Sequence, residues 1–150
     1  MELKQLYTDL ILEYNKDRTN KRKIENPNVH EHGHNPSCGD DIDIEAKVEK
    51  GIIKDLAYTG TGCAISQAST AMMAELLQGR TVEEGLRLCR LFLDMIRGKV
   101  TDDSQLEELE AAITLKDISQ MPVRVKCATL GWHNLEMALE KVEKQLKNNG

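Results

Sequence analysis

The hydrophobic periodicities predict an α+β fold: a small antiparallel sheet packed against a layer of helices, in one domain spanning residues 1–150. Three observations carry this reading. An amphipathic helical stripe opens the chain, an alternating apolar pattern on both sides of a Lys-Gly turn follows it, and helical patterns fill the rest.

The first element is read from Leu3, Leu6, Tyr7, Leu10, Ile11 and Tyr14, spaced i, i+3, i+4, i+7, i+8, i+11, the period of a helix that buries one face. Residues 16–36 are polar and punctuated by Pro27 and Pro36. They read as a loop that has room for a short edge strand. From Asp41 to Glu49 the chain alternates, with Ile42, Ile44, Ala46 and Val48 on one face, as a half-buried strand does. Lys50-Gly51 is the turn, and Ile52–Thr59 the hairpin partner, with Ile52, Leu56 and Tyr58 on its inner side. Lys54 breaks that alternation.

After Gly60-Thr61-Gly62 the run CAISQASTAMMAELLQG favours helix, with Gly79 at the C-terminal cap. Its small residues permit close packing on a sheet, and Met72 and Met73 read as core. Thr81-Val82-Glu83-Glu84 fits a capping box for the next helix. There Val82, Leu86, Cys89, Leu93 and Ile96 make the apolar stripe, and Arg87, Arg90, Asp94 and Arg97 the polar side, before Gly98 ends it. The arginines read as a solvated face able to meet an acidic surface. Residues 103–113 are a short helical candidate. Pro122 opens a long final helix with Leu135, Leu139, Val142 and Leu146 on its stripe.

Composition narrows the function classes. The 150 residues carry 20 basic and 25 acidic side chains, a net charge of −5, which disfavours a phosphate-backbone binder. One Trp, three Tyr and one Phe make no stacking platform for single-stranded nucleic acid. No apolar run approaches the roughly 20 residues that cross a bilayer, so a membrane role is not expected. The start, MELKQLYTDL, lacks the basic-then-apolar pattern of a secretory signal. The expectation is a cytoplasmic protein whose four cysteines serve metal, catalysis or core rather than disulfides.

Three of those cysteines fall at junctions. Cys38 lies in Asn35-Pro36-Ser37-Cys38-Gly39-Asp40, Cys63 follows Gly60-Thr61-Gly62, and Cys127 lies in Arg124-Val125-Lys126-Cys127. Loop ends and helix starts can gather at one end of the sheet. Three thiolates with Asp40 would then supply four ligands of a kind that zinc accepts. A helix N-terminus at Cys63 offers unpaired N–H groups and a positive dipole end, which together favour an anionic sulfur. Lys126 and Arg124 place cations near Cys127. The separations, 25 residues from Cys38 to Cys63 and 64 from Cys63 to Cys127, match no zinc-finger pair. On residue types alone, a metal site and three buried structural thiols stand side by side.

Other candidates read more plainly. Cys89, on an apolar stripe, is core. His30, His32 and His34 alternate before Cys38 as a solvated loop, with metal recruitment as the alternative. His133 reads as a surface residue.

Cys-Gly-Asp, then Gly-Thr-Gly-Cys-Ala-Ile-Ser-Gln-Ala-Ser, then Arg-Val-Lys-Cys-Ala-Thr-Leu-Gly-Trp together resemble the IscU/NifU-N superfamily of iron–sulfur cluster assembly proteins. Within it the chain looks most like the SufU branch. Lys126 stands where the scaffold branch carries His, and residues 79–98 resemble the extra helical segment of SufU proteins. The resemblance implies a cytoplasmic monomer that binds zinc through Cys38, Asp40, Cys63 and Cys127. It implies partnership with a SufS-type cysteine desulfurase, other Suf-type assembly proteins and apo iron–sulfur proteins. Cys38 would be the persulfide acceptor, freed from zinc when a desulfurase His takes its place; Asp40 and Arg124 would orient the freed sulfur. Two alternatives remain: a scaffold holding a transient [2Fe–2S] cluster or iron on Cys38, Cys63 and Cys127, and a purely structural zinc protein.

Overall fold

A computed structural model describes the backbone of residues 3–37 and 39–149, and the side chains of residues 8–37 and 39–148. Cys38, singled out from the sequence, lies outside the described residues, as do the side chains of Leu3, Leu6 and Tyr7. Three strands, β1 (Val29–Asn35), β2 (Asp40–Glu49) and β3 (Ile52–Thr61), form an antiparallel sheet in the order β1-β2-β3. Helices α1 (Leu3–Lys16), α2 (Ala64–Leu77), α3 (Val82–Ile96), α4 (Asp103–Leu106) and α5 (Pro122–Asn149) surround it, with a 3₁₀ segment over Glu107–Gln120. The predicted α+β architecture is the one observed.

β2 buries Ile42, Ile44, Ala46 and Val48, and turns Asp41, Asp43, Glu45 and Lys47 outward, as a two-residue period requires. Lys50 and Gly51, at φ 53° and 75°, close the hairpin to β3. The interrupted alternation at Lys54 is a register shift: Lys47 pairs with Asp55 and Val48 with Ile53, so Lys54 is the extra residue. In consequence Ile53, not the expected Ile52, is fully buried.

The segment over residues 16–36, read as a loop with room for a short edge strand, contains that strand as the seven-residue β1. His30, His32 and His34 are therefore on a strand, pointing outward, while Val29, Gly33 and Asn35 face inward. Apolar alternation could not reveal this strand because its inward residues include a glycine and an asparagine. Gly33 is needed there: a Cβ would stand 1.7 Å from Asn134 Nδ2 on α5. The far edge of β3 is covered as well. The Tyr58 N–H donates to the Asn20 carbonyl, and Ile53 exchanges backbone hydrogen bonds with Gly79 and Arg80, leaving little edge for another chain to extend.

α2 and α5 pack on the sheet and on each other, and α3 packs along α5. At their junction Trp132 stacks on Phe92, centroids 4.0 Å apart. The Trp132 indole N–H donates to Ser69 Oγ at 2.9 Å, and the Ser69 hydroxyl donates to the Ala128 carbonyl at 2.6 Å. A buried aromatic thus keeps its polar atom satisfied. α3 follows its reading: Thr81 Oγ1 accepts the Glu84 N–H at 3.1 Å, and Val82, Leu86, Cys89, Leu93 and Ile96 are buried. Met72 and Met73 are core as expected. Arg87 bridges Glu84 and Glu108, and Arg90 pairs with Glu136 and Glu140. Most of the expected solvated arginine face is thus committed within the chain.

Two helical readings need correction. After α4, Glu110 at φ 51° breaks the backbone and the chain continues as 3₁₀ turns that bury Leu109, Ala112, Leu115 and Ile118. In α5, Leu135 and Leu139 are buried, but Leu146 is 44% exposed; the helix runs past the core it was patterned to cover. No described helix is long and apolar enough to cross a membrane.

Candidate metal centre

Asp40 is the first residue of β2, directly opposite Asn35 across the four-residue connection Pro36–Gly39. An Asx turn shapes its start, the Ser37 N–H donating to Asn35 Oδ1 at 3.1 Å, and Gly39 bends it back at φ 71°. Asp40 has no exposed surface. Its Oδ1 accepts the Cys63 N–H at 2.9 Å, which ties the start of β2 to the start of α2.

Cys63 is the N-cap of α2, in an extended conformation, and its Sγ accepts the Ser66 N–H at 3.4 Å. A sulfur thus fills the place usually taken by a serine or aspartate oxygen. The Gly-Thr-Gly approach makes room for it. A Cβ on Gly62 would stand 2.5 Å from Asp40 Oδ1 and 3.1 Å from Ser66 Oγ. Cys127, fully buried, comes from the second turn of α5. The ligand atoms of Asp40, Cys63 and Cys127 all lie within 4.8 Å of one another, the one such group among the described residues. Residues from β2, α2 and α5, far apart in sequence, converge where the sheet's end meets two helices.

Donor chemistry fits zinc. Bonds of about 2.3 Å to sulfur and 2.1 Å to oxygen, in a tetrahedron, set ligand atoms about 3.4–3.8 Å apart. Small side-chain shifts close the observed group to that size. Among the described residues the set has three ligands of the four, and the connection bearing Cys38 runs directly into Asp40.

Other residues singled out from sequence fall elsewhere. Arg124 is exposed in the first turn of α5, three residues before Cys127. Cys89 is buried on α3 as expected, and burial pushes its thiol well above the ordinary range. His133 is exposed, 3.6 Å from Glu136. The sequence reading missed two features. Ser66 Oγ, fully buried beside Asp40 and Gly62, has no hydrogen-bond partner among the described residues. A groove of about 370 Å³ also opens between β1, α3 and α5, lined by His34, Pro36, Leu93, Arg97, Lys126 and His133 among others. Periodicity assigns a face to single helical residues but cannot bring three elements together.

Comparison with known proteins places the chain among relatives. The model of the NifU-like N-terminal domain matches residues 6–104. The iron–sulfur cluster assembly scaffold protein IscU of Thermotoga maritima is 38% identical over 144 residues, 96% of this chain and 99% of that protein. The zinc-dependent sulfurtransferase SufU of Bacillus subtilis (strain 168) is 38% identical over 142 residues, 94% of each chain. A crystal structure from Fervidobacterium islandicum AW-1, assigned as an iron–sulfur cluster assembly scaffold for the SUF system, superposes with a TM-score of 0.83 at 38% identity, covering 90% of this chain and 97% of that one. On these matches, the chain belongs to the NifU-like N-terminal domain family.

Proposed function

We propose that this chain is a zinc-dependent sulfur acceptor of SufU type in iron–sulfur cluster assembly, taking persulfide sulfur from a SufS-type cysteine desulfurase onto Cys38. The observation that carries the reading is the convergence of Asp40, Cys63 and Cys127 beside the connection that bears Cys38. Likeness to the zinc-dependent sulfurtransferase of Bacillus subtilis along 94% of the chain supports it. Cys38, Asp40, Cys63 and Cys127 would hold the ion, and a bound ion keeps its sulfur ligands deprotonated.

In the transfer, the Cys38 thiolate attacks the outer sulfur of the donor's persulfide. The donor's S–S bond breaks, its cysteine leaves as a thiolate, and the outer sulfur with its proton remains on Cys38 as a new persulfide. Asp40, held by the Cys63 N–H, keeps its carboxylate fixed at the base of the connection. Arg124, one helical turn before Cys127, would steady the anionic sulfur. The groove bearing Arg97 and Lys126, neither ion-paired among the described residues, adjoins the same connection through Pro36 and offers the donor protein a surface. Downstream, the sulfur passes to other Suf-type assembly proteins in the cytoplasm.

The second reading is a scaffold on which a [2Fe–2S] cluster is assembled as cargo and delivered to apo-proteins. The match to the IscU of Thermotoga maritima favours it, because the same sulfur-rich group can ligate iron. The two readings separate in one experiment, desulfurase turnover with zinc-loaded parent and Cys38→Ala. The sulfur-acceptor reading predicts stimulation by the parent and none by the variant, at equal helical content. Stimulation by Cys38→Ala equal to the parent's would overturn it.

A further inference from the structure

The outward face of the sheet carries a second set of metal-ligating side chains, separate from the cysteine group. His30 and His32 project from β1, and Asp41 and Asp43 from the neighbouring β2. His30 Nε2 lies 3.0 Å from Asp43 Oδ1, and His32 Nε2 is hydrogen-bonded to Asp41 Oδ1. The strand register puts His30 opposite Glu45 and His32 opposite Asp43, so each imidazole leans diagonally to the carboxylate one step along. Asp43 therefore stands between the two imidazoles, bonded to one and directly across from the other. Its charge reaches His32, which Asp41 and Asp43 together hold above the ordinary histidine range. Glu45 is drawn away, since its Oε1 accepts the Ile24 N–H.

We propose that His30 and His32, with the carboxylates of Asp43 and Asp41, form a second binding site for a divalent transition-metal ion. Histidines two apart on a strand share one face. Imidazole with carboxylate is a ligand set for zinc, nickel, copper or ferrous iron. The existing hydrogen bonds are templates for it. Two ligand atoms on one tetrahedral ion stand about 3.4 Å apart, so the His30–Asp43 pair opens by only a few tenths of an ångström when a cation replaces the shared proton. All four side chains are 40–55% exposed and free to make that adjustment. Their donor atoms are not gathered within 4.8 Å as those of Asp40, Cys63 and Cys127 are, so the site closes only as the ion arrives.

This site is chemically and spatially distinct from the first. Asp40 points into the protein and Asp41 out of it, which puts the two groups on opposite faces of β2. The first offers thiolates; the second offers none. It stands whether or not the chain accepts sulfur.

The test is calorimetric titration of the metal-stripped full chain with Zn²⁺ alone, repeated on His30→Ala/His32→Ala and on Asp43→Asn. The parent is expected to bind two equivalents, the second at least about tenfold more weakly for want of sulfur. The double histidine variant binds one equivalent at unchanged affinity for the first, and Asp43→Asn weakens only the second. Imidazole signals of His30 and His32, followed by NMR, move with the second equivalent while those of His34 and His133 stay. A single equivalent in the parent overturns the proposal. So do two equivalents in the double variant, or movement of His34 and His133 instead.

Discussion

Replacing Gly62 by Ala tests whether the Asp40–Cys63 link organises the centre. The added Cβ would stand 2.5 Å from Asp40 Oδ1 and 3.2 Å from its Cγ, where a carbon–oxygen contact settles at about 3.3 Å. The carboxylate must retreat by about 0.8 Å. Asp40 has no exposed surface to retreat toward, so its 2.9 Å bond from the Cys63 N–H stretches past hydrogen-bonding range. A bond to a charged acceptor contributes about 1.5–3 kcal/mol, and displaced supporting contacts lower metal affinity about 10–100-fold. Zinc affinity, measured by competition with a chromophoric chelator, should fall by that factor while helical content is kept. Gly51→Ala is the control. Its φ of 75° makes the substitution strained with nothing within 4 Å, so it should lower stability by about 1 kcal/mol and leave zinc affinity unchanged. Parent-like affinity in Gly62→Ala, or an equal loss in both variants, would refute the reasoning.

Other expectations follow from named contacts. Ser69→Ala removes the partner of the buried Trp132 N–H and should destabilise the fold by about 1–3 kcal/mol, read by denaturant unfolding on tryptophan fluorescence. Cys89, buried with its thiol pushed upward by desolvation and then by Glu136, should resist iodoacetamide in the native protein and react only on unfolding, whereas the half-buried Cys63 reacts in the metal-stripped chain. The Arg22 guanidinium donates two hydrogen bonds to Asp55 and holds its carboxyl below the ordinary range. That contribution is present above the unfolded carboxylate value and is lost as pH falls through the depressed folded one. With the two side chains 38% and 33% exposed, Asp55→Asn should cost under about 1 kcal/mol at neutral pH, and the gap from the parent should close in acid.

The elements legible in the sequence are those whose burial pattern is apolar. Ile42 to Val48 alternate because one face of β2 is core, and α3 carries both its cap and its stripe in its own residues. β1 was legible only as room for an edge strand, without bounds, because its inward side includes Gly33 and Asn35, suited to close approach to α5 rather than to hydrophobic burial. The shift from Ile52 to Ile53 follows from one inserted residue, Lys54, whose effect on register is set by the partner strand. The 3₁₀ turns after Leu106 depend on the backbone at Glu110, which no side-chain periodicity encodes. At the centre, Asp40, Cys63 and Cys127 were legible as junction residues, the first two preceded by glycine, and they converge. Cys38 itself lies outside the described residues. The Ser66 hydroxyl, unpaired among the described residues, and the groove over Arg97 and Lys126 arise only from tertiary packing.

The central claim, that Cys38 takes sulfur from a desulfurase, is tested most directly by incubating the zinc-loaded chain with the desulfurase of the same source and isotopically labelled cysteine, then locating the label by peptide mass mapping. The account predicts one labelled sulfur on the peptide bearing Cys38 and none on the peptide bearing Cys89. An unlabelled Cys38 while the desulfurase turns over, with label released only as sulfide or found in a cluster built after iron is supplied, would contradict it.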